Sequence, residues 1–163
     1  MRLFLAQSAS LDDYRALQER FDPCIKGRWR TEDSLHATVL FLGKRFTKEE
    51  IIATVSQCDF ALEDAVLGGV GRFAHNRIFY AAAVHPTLVE TYHVLAEAFA
   101  MEHGRPYVPH ITLMRYKAID TVCFENECEK LGDRRLGTIG GALKLIKSTL
   151  TPEGAVYETV YKF

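Results

Sequence analysis

Residues 35–41 read LHATVLF and residues 109–115 read PHITLMR. Each holds His-x-Thr followed by an apolar residue, and the two copies stand nearly half the chain apart, as two similar halves would place them. Ser34–Gly43 is apolar and stops at a glycine, which reads as a buried strand; His110–Arg115 reads as a second one. In a strand, residues i and i+2 share a face, roughly 6.5–7 Å apart. His36 and Thr38 therefore project together while Ala37 and Val39 turn away, and His110 and Thr112 repeat the arrangement.

Working outward from these strands, the chain alternates strands and helices without strict βαβ order, which predicts an α+β fold with antiparallel pairing. Arg2–Gln7 reads as a strand. Ser10, with Asp13 behind it, reads as the cap of a helix reaching about Phe21. Thr47 and Glu50 make a capping box for a helix to about Gln57. Ala65–Phe73 and Ile78–Val84 read as strands joined by the turn AHNR. A helix from Pro86 carries Leu88, Tyr92, Leu95 and Phe99 on one face and ends at Gly104. Val122–Leu131 reads as a short helix, and Ala142–Leu150 and Val156–Phe163 as a last hairpin around TPEG. No linker or charge block divides the 163 residues, so they read as one domain.

The chain is 48% hydrophobic and 25% charged, with 20 basic and 21 acidic residues for a net charge of −1. This composition excludes disorder and a chain-wide basic field, so nucleic-acid binding has to be local. The MRLFLAQS start is too short in its apolar run for a signal peptide, and no stretch suits a membrane span. Cys24, Cys58, Cys123 and Cys128 are few and scattered, without zinc-site spacing. They read as free thiols of a cytoplasmic protein.

Two imidazoles and two hydroxyls around one small volume suit phosphodiester chemistry without a metal. A neutral histidine takes a proton from attacking water while a protonated one supplies the leaving oxygen. A pKa of about 6.5 allows both forms near neutrality. Threonine hydroxyls can donate to non-bridging phosphate oxygens as charge builds there.

The paired motifs, within LHATVLFLG and RPYVPHITLMR, resemble those of the 2H phosphoesterase superfamily, and most of all its RNA 2′,3′-cyclic phosphodiesterase (2′-5′ RNA ligase-like) branch. RLFLA at residues 2–6, GRWRTEDS at 27–34, VGRF at 70–73 and STLTPEGAVYE at 148–158 extend the resemblance over most of the chain. It implies a bilobal, pseudo-symmetric fold with two antiparallel sheets flanking a central cleft. It also implies a monomer without metal or cofactor, which hydrolyses 2′,3′-cyclic phosphate ends of RNA or nucleotides to 2′-phosphates. Carried over by motif, His36 and His110 are the acid–base pair, with His36 the favoured proton donor to the 3′ oxygen. Thr38 and Thr112 bind the phosphate.

Arg115 matches an arginine that follows the second motif in the family. A regular strand would put it on the wrong face, five residues after His110, so a bulge near Met114 is required. Tyr107 and Phe73 are candidates for stacking on a base. His75, His85, His93 and His103 show no metal-binding pattern, and Gly68, Gly69 and Gly71 read as bends or bulges in a strand. Lys26, Arg28, Arg30, Lys44 and Arg45 could line a groove for RNA or lie in ordinary solvated loops. Ligation at 2′-5′ linkages, or hydrolysis of 2′-5′ oligonucleotides or of a cyclic ADP-ribose phosphate, would use the same four residues. A binding module without turnover is the alternative outside the enzyme class.

Overall fold

In the computed structural model, which describes residues 1–101 and 104–163, the chain builds eight strands and four α-helices among the described residues. His103, named above, lies outside them. In chain order these are β1 (Arg2–Leu11), α1 (Tyr14–Phe21), β2 (Ile25–Trp29), β3 (His36–Gly43), α2 (Lys48–Ser56), β4 (Ala65–Phe73) and β5 (Ile78–Ala83). They continue as α3 (Pro86–Ala98), β6 (His110–Ile119), α4 (Thr121–Leu131), β7 (Arg135–Thr151) and β8 (Gly154–Lys162). All strand pairs are antiparallel.

The sheet order is β2-β6-β5-β4-β7-β1-β3, and β8 pairs with the later half of β7, beyond the stretch that pairs with β4. From the central β4–β7 pair outward, β5 then β6 lie on one side and β1 then β3 on the other. The two motif strands thus hold matching places, and the two sheets expected from the resemblance are joined into one through β4 and β7. Alternation sorts their side chains. Leu3, Leu5, Ala37, Val39, Ile111 and Leu113 join the main core with Phe21, Ile51, Leu88, Leu95 and Phe124 of the four helices. Each such leucine contributes roughly 1.5–3 kcal/mol by leaving water. The intervening residues, His36, Thr38, His110 and Thr112 among them, face away from that core.

Several local expectations are met. The Thr47 side chain accepts from Glu50 N–H and the Glu50 carboxylate accepts from Thr47 N–H, closing the capping box of α2. Gly69 has φ +80° at a register jump in β4, so the glycines there serve a bulge.

Others are corrected. Helix α1 is capped by Asp13, whose Oδ1 accepts from Ala16 N–H, because β1 runs on to Leu11 and takes Ser10 into the sheet. Helix α3 stops at Ala98 rather than Gly104, since Ala100 already has φ +51°. The stretch around Lys26, Arg28 and Arg30 contains an edge strand, β2, on β6.

The reading of four free thiols is also overturned: Cys24 and Cys123 form a disulfide, leaving Cys58 and Cys128 free. Asp120 N–H donates to the Cys24 carbonyl at 2.8 Å, which brings the first turn of α4 against the start of β2. Among the described residues no helix is long and apolar enough to cross a membrane.

Candidate functional site

The motif strands share more than sequence. In the β1–β3 ladder Leu5 pairs with Leu40 and Ala6 with Thr38, so Val39 is passed over. In the β5–β6 ladder Phe79 pairs with Met114 and Tyr80 with Thr112, so Leu113 is passed over. The extra residue falls three positions after each histidine. Two consecutive residues then turn inward (Val39 and Leu40, Leu113 and Met114), and the residue after them returns to the histidine face. This is the bulge that Arg115 required.

The histidines are held alike. His36 Nδ1–H donates to the Ser34 carbonyl at 2.8 Å, and His110 Nδ1–H donates to the Val108 carbonyl at 2.8 Å. A carbonyl can only accept, so each ring is fixed in one tautomer and its Nε2 is left for chemistry. Each ring also packs between aromatics. His36 lies 4.9 Å from Phe4 and 5.1 Å from Tyr157, and His110 lies 5.1 Å from Phe73 and 5.7 Å from Tyr80. Gly71 makes room for Tyr80, since a Cβ there would stand 2.6 Å from the tyrosine hydroxyl.

Burial pushes both imidazoles below their ordinary pKa, against the effect of the hydrogen bonds they donate to the Ser34 and Val108 carbonyls. At His36 the charges of Arg30 and His110 push further in the same direction. The two histidines are therefore electrostatic neighbours, as the approach of β3 to β6 requires.

A cleft of about 950 Å³ opens beside them, lined by His36, Thr38 and Arg115. Arg2, Arg28, Arg30 and Lys117 add positive charge against one acid, Glu153, so an otherwise near-neutral protein presents a local basic field. His110 and Thr112 stand beside this lining rather than in it. Among the described residues no group of three or more His, Cys, Asp or Glu is placed to hold a metal ion.

Tyr107 is placed elsewhere than the stacking reading supposed. Its ring stacks on Tyr92 at 4.5 Å, and its hydroxyl donates to the Thr38 carbonyl, so neither is open to a base. Phe73 lies against His110, with one face covered by Tyr80 at 4.3 Å. Sequence reasoning missed Phe4, Tyr80 and Tyr157, which lie on other strands and are linked to the motifs only by pairing. It also missed Phe41, which setting the motifs one under the other would have matched to Arg115.

The profile of the 2′-5′ RNA ligase superfamily matches residues 6–149. A Methanocaldococcus jannaschii protein named RNA 2′,3′-cyclic phosphodiesterase is 32% identical over 98% of both chains. A Thermotoga maritima protein of the same name is 25% identical over 99% of this chain and 94% of its own. A crystal structure from Thermus thermophilus superposes with a TM-score of 0.73 at 26% identity, covering 100% of this chain and 97% of the other. E. coli LigT complexed with 3′-AMP shares the fold, with a TM-score of 0.73 at 18% identity over 99% and 96% of the chains. On the extent of these matches, the chain belongs to the 2′-5′ RNA ligase superfamily, the 2H phosphoesterases.

Proposed function

We propose that the protein hydrolyses 2′,3′-cyclic phosphate ends of RNA or nucleotides to 2′-phosphates, without a metal and as a single domain. The observation that carries this reading is the matched pair of histidines, each tied through Nδ1 to a backbone carbonyl with Nε2 left free. Water oxygen attacks phosphorus as the P–O3′ bond breaks. One histidine Nε2 takes the water proton, and the other gives its proton to O3′. Thr38, Thr112 and Arg115 hold the non-bridging oxygens, where charge grows. The names of the Methanocaldococcus and Thermotoga relatives support the substrate class.

The test is incubation, in excess chelator, with a short RNA ending in a 2′,3′-cyclic phosphate, alongside His36→Ala and His110→Ala. The expected result is conversion to the 2′-phosphate by the wild type, slowed on the order of 10²–10⁴-fold in either variant. No conversion by the wild type would overturn the reading and direct attention to 2′-5′ linked oligonucleotides and then to a binding role. Loss of activity in chelator would overturn the metal-free mechanism.

A further inference from the structure

Arg30 directly follows β2 and is tied down through its own backbone. Its N–H donates to the Leu113 carbonyl at 2.8 Å, and its carbonyl accepts from the Tyr14 hydroxyl at 2.7 Å. Burial pushes the Tyr14 phenol up to about 12, so it stays a donor. Leu113 is the residue passed over where β6 pairs with β5, so Arg30 is anchored on the strand of His110 and Thr112. Its side chain nonetheless reaches toward the other half of the site. The guanidinium carbon stands 5.7 Å from the centre of the Tyr157 ring, and that ring meets His36 in a T-shaped contact at 5.1 Å.

This charge has no acid to answer it. Among the described residues no carboxylate pairs with Arg30, and Glu153, the one acid in the cleft lining, is not an exception. Arg15, Arg20 and Arg135, outside the cleft, each hold an acid. Other cations of the cleft are turned to other tasks: Arg2 stands over Phe41, and Arg28 Nη1 lies 3.6 Å from where a Gly154 Cβ would be, against the β7–β8 turn. A cation held over a ring keeps its N–H donors free, and the planar guanidinium suits phosphate. The cleft, at about 950 Å³, lies near the upper end of the range for whole ligands and extends well beyond the reacting phosphate. In RNA the ribose holds successive phosphates a sugar's width apart. A cation set off from His36 by one aromatic ring therefore suits the next phosphate rather than the cyclic one.

We infer that Arg30 binds a second phosphate of the substrate, the one on the 5′ side of the terminal ribose, so that the enzyme favours an RNA end or a 5′-phosphorylated nucleotide over a plain nucleoside 2′,3′-cyclic phosphate. The inference rests on the cyclic phosphodiesterase reading. Arg115 then serves the phosphate that reacts and Arg30 the one that does not. Binding energy from the second phosphate draws the end of the chain into the cleft without entering the chemistry, so it shows in KM.

The test measures kcat/KM on two pairs of substrates for wild type, Arg30→Gln and Arg30→Lys. One pair is adenosine 2′,3′-cyclic phosphate with and without a 5′-phosphate. The other is the diadenosine dinucleotide ending in a 2′,3′-cyclic phosphate, with an ordinary linkage or with a neutral methylphosphonate in its place. Wild type should favour the charged member on the order of tenfold or more, as one charge-assisted hydrogen bond gives, and chiefly through KM. A gain in the dinucleotide pair alone assigns the site to an internal linkage of RNA, and a gain in both admits a terminal phosphate as well. The preference should vanish in Arg30→Gln and survive in part in Arg30→Lys, which keeps the charge without the planar fork. A ratio cancels any change at His36 that acts on both members alike, and the wild-type ratios need no variant to fold. Wild type that favours the charged member of neither pair overturns the inference, as does a preference that persists in Arg30→Gln. Either result leaves the hydrolase reading intact, whereas no wild-type hydrolysis of any of the four removes both.

Discussion

The Tyr107 hydroxyl donates a 2.6 Å hydrogen bond to the backbone carbonyl of Thr38, tying the segment that leads into the second motif to the strand of the first. Burial pushes the phenol pKa up, so it remains a donor across the ordinary pH range. Tyr107→Phe should cost about 1 kcal/mol of stability by leaving that carbonyl without its partner. It should also lower kcat, because Thr38 and His36 share the strand. Urea unfolding and steady-state kinetics check both. Unaltered stability and rate would show that this bond does not hold the site together.

The pH profile follows from the direction of the histidine shifts. Both imidazoles are pushed below about 6.5, first by burial and at His36 also by Arg30. The active form holds one proton on the pair, and its population peaks between the two apparent pKa values of the free enzyme. The kcat/KM profile should be bell-shaped with its maximum on the acid side of pH 6.5. A maximum above pH 7, or a flat profile from pH 5 to 9, would rule out this pair as the titrating acid and base.

A third histidine governs stability. His85, buried at the start of α3, accepts at Nδ1 from Leu88 N–H and donates from Nε2 to Gln7 Oε1 at 2.9 Å. Gln7 in turn donates to the carbonyls of Glu63 and Gly141. A second proton would remove the acceptor that caps the helix. Burial lowers the pKa of His85 in the folded state, against the nearby charges of Asp64 and Glu63. The unfolded chain therefore binds the proton more readily. The associated stability is complete above pH 6.5 and is lost as pH falls through the folded value. His85→Asn keeps a capping oxygen but does not titrate, so its melting temperature should fall less than that of wild type between pH 7 and 5. His36 and His110 contribute to the same slope in both proteins, so the difference between the two is the measure. Parallel curves would exclude His85.

Thiol counting tests the disulfide. In denaturant without reductant, two thiols, Cys58 and Cys128, should react, and four after reduction. The bridge joins residues 99 positions apart, for which the chain-entropy account gives up to roughly 4–5 kcal/mol. Cys24→Ser should therefore lower the melting temperature under oxidising conditions and change little once the protein is reduced. Four reactive thiols at the outset would refute the pairing.

The sequence made some parts of this fold readable and hid others for physical reasons. The motif strands and the Thr47–Glu50 box announce themselves through local patterns, in which a side chain and its partner lie within a few residues. The strand Ile25–Trp29 was hidden because IKGRW is an edge, with its middle three residues exposed and no alternation of apolar residues. The bulges were hidden because register belongs to a pair of strands, and only the requirement placed on Arg115 hinted at one. The Cys24–Cys123 bridge depends on how β2 meets α4, which no spacing encodes. At the site, the duplicated His-x-Thr pairs were legible, while Phe4, Tyr80 and Tyr157 reach the histidines only through pairing.

Strand β7 lies between β4 and β1 and also carries β8, so both halves of the sheet depend on residues 135–151. During synthesis β1 and β3 emerge early, yet the neighbour that completes β1 arrives only after most of the chain. At the usual elongation rates that interval is roughly seven to thirty seconds. Through it the edge of β1 that pairs with β7 has no strand beside it. The half-site around His36 is thus among the first parts made and among the last completed, and the newborn chain should rely on chaperones longest there.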